Sequence, residues 1–377
     1  MKKTLLAVSA FLVCLSCADI AAAQNKNTKV LTDIEEYIKA GKDAPPQQGQ
    51  LIIDQLTMDS NGVADALLER ARAADVNDEA LSVYIWAIGL TKDTDAVDGL
   101  IKIANTNKSP LVKANLFRAL TKIGSQKAGN YLLAQAKIAQ DDSNSIDVGK
   151  FGILNHLAEM QYAPALPEMQ SILKKNYKQY YRQQIFCFGK MGDKAIPFLL
   201  DKITDSNSNT KFAAIVLVGQ VLLAEEAVKP LAERYWKEKD PITKKLILSS
   251  LERITSDLTE MERFFNEVAK KEQDNDAKQF AEETIARLGT YKERISRLKA
   301  AKKDDRQLYQ KEYDTFYISY GRGNIETLGI YSSIKDEPQL KKLRERILLR
   351  NSDECLFDYE RVNNIIMFNR LIAKNKL

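Results

Sequence analysis

The sequence predicts an all-α solenoid, a stack of antiparallel helix pairs. Three observations predict it: a helical block that recurs down the chain, apolar residues spaced four and three apart inside each copy, and an apolar helix ahead of each copy. Residues 109–124 read SPLVKANLFRALTKIG and residues 240–255 read DPITKKLILSSLERIT. They register without a gap: Pro110 on Pro241, Lys113 on Lys244, Leu116 on Ile247, Leu120 on Leu251 and Ile123 on Ile254.

The N-terminus comes first. Lys2 and Lys3 precede an apolar run from Leu5 to Leu15, and Ala21, Ala22 and Ala23 follow. This is the pattern of a signal peptide over 1–23, cleaved before Gln24, with export to the periplasm or beyond. The run is too short for a permanent anchor. Cys17 after Ser16 offers a lipidation site as an alternative, although Cys14 stands where such signals favour Leu. Residues 24–61 hold the amphipathic segment VLTDIEEYIKA and the polar stretch GKDAPPQQGQ, read as an N-terminal cap or linker.

Residues 62–293 carry the repeat, as about seven helix pairs of roughly 33 residues each. Further copies of the block include Lys150, Ile153 and Leu157; Lys211, Ala214 and Val218; and Lys278, Ala281, Ile285 and Gly289. Apolar residues at these steps share one helix face. Pro just inside the start and Gly just past the end mark the boundaries. The preceding helices begin near residues 62, 96, 128, 165, 195, 227 and 261. One pair cannot cover its own apolar stripe, so neighbours must stack.

Asp240, Pro241, Lys244, Leu251 and Ile254, with Lys113, Leu120, Ile123 and Gly124, resemble the second helix of a HEAT repeat. The resemblance is to the short bacterial type, also called the PBS-lyase type. It implies a right-handed superhelix and a protein-binding surface. It also implies that the basic position bridges neighbouring repeats, which covers Lys113, Lys150, Lys211, Lys244 and Lys278. Most copies lack the Pro, and Tyr177 to Tyr181 replace the usual polar turn. Residues 294–377 lose the period and read as a basic helical cap or accessory domain, with the helices EPQLKKLRERILLR and DECLFDYERVNNIIMFNRLIAK.

The chemistry-bearing residues are few. His156 is the only histidine, which argues against metal sites and most catalytic triads. His156 and Cys187 share a column of small and apolar residues and read as packing groups. No P-loop, zinc spacing, nucleophile elbow or calcium loop occurs, so no catalytic residue, metal or cofactor is expected. A net charge of +5 is too mild for nucleic acid. Cys187 and Cys355 are the cysteines left after cleavage, too few for a disulfide scaffold.

Two sets remain as candidate partner-binding residues. One is a mostly basic column near the helix ends, Lys122, Glu159, Lys190, Gln220, Arg253 and Arg287, which either lines an exposed face or offsets the helix dipole. The other is aromatic, Tyr177, Tyr180 and Tyr181 at a repeat turn; Tyr313, Phe316, Tyr317 and Tyr320, ahead of Gly321-Arg322-Gly323, recur at helical spacing and read instead as a buried stripe holding the cap to the array. Arg322 could hold an anion, and an ordinary turn is the competing reading. The function expected is a non-enzymatic scaffold in the periplasm or envelope, binding another protein. Membrane contact would come only through lipid at Cys17 or at the periphery. The alternatives are an enzyme on the same scaffold, as in the family's DNA-base glycosylases and bilin lyases, or a glycan or small-ligand binder. A glycan binder would need surface aromatics, and Trp86 and Trp236 both fall inside repeat helices.

Overall fold

The computed structural model describes residues 27–58, 62–73, 77–140, 148–300 and 336–374. The proposed signal segment, Cys17 and the stretch around Arg322 lie outside them. All regular elements among the described residues are helices. The chain divides into two compact units, Met1–Met160 and Gln161–Leu377. The division falls just past the end of a helix, where Gln161 takes a left-handed φ of 51°.

Unit 1 contains α1 (27–40), α2 (Pro46–Met58), α3 (Val63–Ala71), α4 (Asp78–Thr91), α5 (Val97–Thr106), α6 (Pro110–Ile123), α7 (Gln126–Ile138) and α8 (Lys150–Glu159). The pairs are α3 with α4, α5 with α6 and α7 with α8, and α6 also packs on α4 and α8. Local chemistry sets their limits. Asn77 and Ser125 accept from the backbone N–H three residues on, at 2.9 and 3.2 Å. Pro110 occupies the first turn of α6, and Gly124 closes it at φ 69°. Gly89 lies so near Ala119 that an added Cβ would sit 2.8 Å from its Cα, so α4 and α6 cross at close range.

The N-terminal segment is helical and packed. Arg70 pairs with Glu35 at 2.6 Å, Gln55 donates to Asp33 at 2.9 Å, and Tyr37 stacks on Trp86.

Unit 2 contains α9 (Leu166–Leu173), α10 (Tyr177–Met191), α11 (Ile196–Lys202), α12 (Ser208–Val216), α13 (Val228–Lys237), α14 (Pro241–Ile254), α15 (Leu258–Lys271) and α16 (Asn275–Ala300). A C-terminal hairpin follows, α17 (Glu337–Leu348) and α18 (Asp353–Lys374). Asp240 caps α14 by accepting from Thr243 N–H at 2.9 Å. The sequence placed the end of the last repeat at Gly289. Instead α16 runs on to Ala300. A side chain at Gly289 would meet nothing within 4 Å among the described residues, and the following TYKERISRLKA is rich in helix formers.

α12 ends in a π-helical turn, Leu217–Val221. Gly219 lies within it, and a side chain there would strike Ser250 of α14. The widened turn brings the carbonyls of Val221, Leu222 and Leu223 to the hairpin, whose side chains take them up.

Candidate partner-binding surface

Two of the recurring lysines act between repeats. Lys211 of α12 reaches Glu238, at the turn of the next pair, at 2.8 Å. Lys244 of α14 reaches Glu272, one pair further, also at 2.8 Å. Each glutamate stands two residues before a capping aspartate and accepts from the next two backbone N–H groups. Arg234 also donates to Glu238, and the Tyr235 hydroxyl donates to Glu272 at 2.6 Å. Burial alone would raise both carboxyls. The hydrogen bonds from Lys211, Arg234 and the backbone to Glu238, and from Lys244, Tyr235 and the backbone to Glu272, outweigh it and hold each at about 2. Lys113 lies over the Phe117 ring at 5.8 Å. Lys150 begins α8, and Lys278 is exposed on α16.

The glutamates went unnoticed in the sequence, although a signal existed. Glu238-Lys239-Asp240 and Glu272-Gln273-Asp274 repeat the same spacing at the same turn.

The column of helix-end residues splits by location. Lys122 of α6 is exposed, within electrostatic reach of Glu159 and Arg118. Arg287 pairs with Glu252 of α14 at 2.9 Å. Lys190 and Arg253 meet the C-terminal hairpin. Lys190 is 2% exposed and donates to Asn351 at 2.7 Å. Arg253 pairs with Glu360 of α18. Lys341 with Asp193, and Arg182 with Asp353, add two more ion pairs along this seam. The hairpin therefore lies over two of the helix ends that the sequence offered to a partner, those of α10 and α14.

The seam is close-packed. A side chain at Gly189 would strike Leu348, and one at Gly192 would strike Glu345. Arg344 is fully buried and donates from Nη1 to the Leu222 carbonyl and to Asn363, both at 3.0 Å. Tyr359 and Asn363 donate to the Val221 carbonyl, and Arg370 donates to that of Leu223.

The first tyrosine cluster borders the same seam. Tyr177 packs on Phe212 at 5.9 Å, and burial, then Glu360, raise its hydroxyl pKa. Tyr180 leaves helical geometry (φ −118°, ψ 19°) and receives Lys175 on its ring face. Tyr181 is exposed.

His156 is buried in α8. Cys187 and Cys355 are free and buried, and burial pushes the Cys187 thiol up to about 12 against the opposing pull of Lys190. Among the described residues no three His, Cys, Asp or Glu side chains group as metal ligands would. No helix among them is long and apolar enough to cross a membrane.

Residues 64–146, from α3 past the end of α7, match the family model for HEAT repeats. No curated protein matches the chain.

Proposed function

We propose that this HEAT-repeat chain is a non-enzymatic scaffold that binds another protein, and that it works in the periplasm or elsewhere in the cell envelope. HEAT repeats are commonly protein-interaction scaffolds, and the helix pairs of unit 1 carry the match. The observation that carries the reading is the use made of the polar residues: Lys211, Lys244, Glu238 and Glu272 join repeat to repeat instead of converging on a reaction centre. The buried His156 and the raised Cys187 thiol support the same view, since neither is placed as a base or nucleophile.

Unit 1 offers the surface. Leu111, Asn115, Arg118 and Lys122 stand four, three and four residues apart on α6, a single helix stripe. Leu111 is 52% exposed, and Arg118 and Lys122 are exposed beside it. An apolar contact flanked by two cations suits an acidic segment of a partner protein. The envelope placement rests on Lys2, Lys3, the run Leu5 to Leu15 and Ala21 to Ala23.

The test is chemical crosslinking in the cells that make the protein, with wild type compared to Arg118→Glu/Lys122→Glu. A discrete protein partner that the double charge reversal loses supports the reading. Unchanged partner recovery removes the stripe, and a chain that stays uncrosslinked removes the scaffold.

A further inference from the structure

The outward face of α17 is basic. Lys342, Arg346 and Arg350 are exposed and stand four residues apart, so they form one row about 12 Å long on a single side of the helix. The other side, with Leu340, Arg344, Ile347 and Leu348, is buried where α17 packs on α10 and α18. The carboxylates within α17 are engaged elsewhere: Glu337 pairs with Arg370 at 2.6 Å, and Glu345 accepts from Gln161 at 2.8 Å. Lys342 and Arg346 make no ion pair among the described residues.

The tip of the hairpin adds apolar bulk. Leu349 on α17 is 43% exposed and Phe357 on α18 is 61% exposed. Each is next in sequence to one member of the Arg350–Asp358 ion pair, which joins the two helices at 2.8 Å. Asp358 also holds Arg361 at 2.8 Å, so this carboxylate is shared by two guanidiniums. The other carboxylates at the tip are Asp353, paired with Arg182 at 2.7 Å, and exposed Glu354. With Arg182 and Arg361 added to the row, five cations stand against these three carboxylates, and the excess lies in Lys342 and Arg346.

Like charges one helical turn apart repel each other, and a layer of anions relieves them. Exposed Leu and Phe beside the row suit an anionic layer with apolar matter just beneath it, as in a bilayer. The row also lies on the outer ridge of one helix, a convex shape that a flat sheet of headgroups meets along its length. We propose that this face docks on an anionic phospholipid membrane. Lys342, Arg346 and Arg350 meet headgroup phosphates, and Leu349 and Phe357 enter between them. The proposal goes beyond the scaffold reading and does not depend on the α6 stripe.

Sedimentation of the full chain with vesicles tests it. Vesicles of about one quarter phosphatidylglycerol in phosphatidylcholine should carry the chain down at about 0.1 M salt, and pure phosphatidylcholine should not. Lys342→Glu/Arg346→Glu, at exposed positions without ion pairs, should weaken binding by about tenfold or more, since each cation near such a surface contributes about fivefold. Arg118→Glu/Lys122→Glu makes the same change in net charge on unit 1 and should stay within about twofold of wild type. Phe357→Ser should weaken binding by about threefold, through the lost apolar contact. Equal binding to the two kinds of vesicle overturns the proposal, as does an equal loss from the two double variants. Absence of vesicle binding, with polyglutamate bound through Lys342 and Arg346, also overturns it and gives the face to an acidic protein segment. Each of these failures leaves the scaffold reading standing.

Discussion

The Arg344 guanidinium, fully buried in α17, donates to the carbonyl of Leu222 at 3.0 Å, just past the π-helical turn of α12. Its Nη1 also donates to Asn363, and Nε and Nη2 have no hydrogen-bond partner among the described residues. A cation buried this way is offset mainly by the carbonyl end of a helix. Arg344→Ala should destabilise unit 2 by about 2–4 kcal/mol, because it opens a cavity and leaves the carbonyl without its donor. Urea unfolding of the full chain checks it. Arg344→Lys should recover only part of the loss, since its ammonium lacks the planar fork.

Gly219 and Ser250 set the approach of α12 to α14. Gly219→Ala should cost about 1–3 kcal/mol by overpacking. Ser250→Gly in the same chain should return a good part of it, because the clash is with the Ser250 side chain itself. A double-mutant cycle measures the coupling. Strict additivity would show that the helices do not meet there.

Lys244→Met should leave the Glu272 carboxylate, 7% exposed, short of its main cation. The expected loss is about 2–4 kcal/mol, near the lower end for a broken buried pair because Tyr235 still donates to Glu272. Replacing Lys278, exposed on α16, with Met should change stability by less than about 0.5 kcal/mol. Thermal unfolding of the two variants side by side distinguishes them.

Acid should act through the same glutamates. Glu238 and Glu272 are held at about 2 in the folded chain, below their ordinary 4.5. A carboxyl depressed by folding stabilises the folded state fully above its unfolded pKa, and that contribution fades as pH falls through the folded value. Stability should therefore be flat above about pH 5 and fall between about pH 4.5 and 2. Glu238→Gln/Glu272→Gln should be less stable at pH 7 and show a shallower fall. An equally steep fall in that variant would assign the acid sensitivity to other groups.

Much of the architecture was legible in the sequence because helix periodicity is local. Each first helix predicted from residues 62, 96, 128, 165, 195, 227 and 261 onward appears close to that start, from α3 at Val63 to α15 at Leu258. Gly124 stopped its helix, whereas Gly289 did not, and helix formers follow it in α16. The fate of Lys190 and Arg253 was not legible. Their positions on α10 and α14 follow from the repeat, but the acceptors Asn351 and Glu360 lie 161 and 107 residues away in a segment without the repeat. Nothing local in the column announces that a distant hairpin will cover it. Glu238 and Glu272 could have been found, as their spacing recurs with that of the lysines they meet.

The account turns on the hairpin being an integral cover of the repeat helices, not an appendage. Native-state hydrogen exchange of the full chain in low urea tests this most directly. The amides of α17 and α18 should open together with those of α10, α12 and α14, at one free energy and with one urea dependence. Exchange of 337–374 at markedly lower free energy, with α10 to α14 still protected, would contradict it and return Lys190 and Arg253 to an open face.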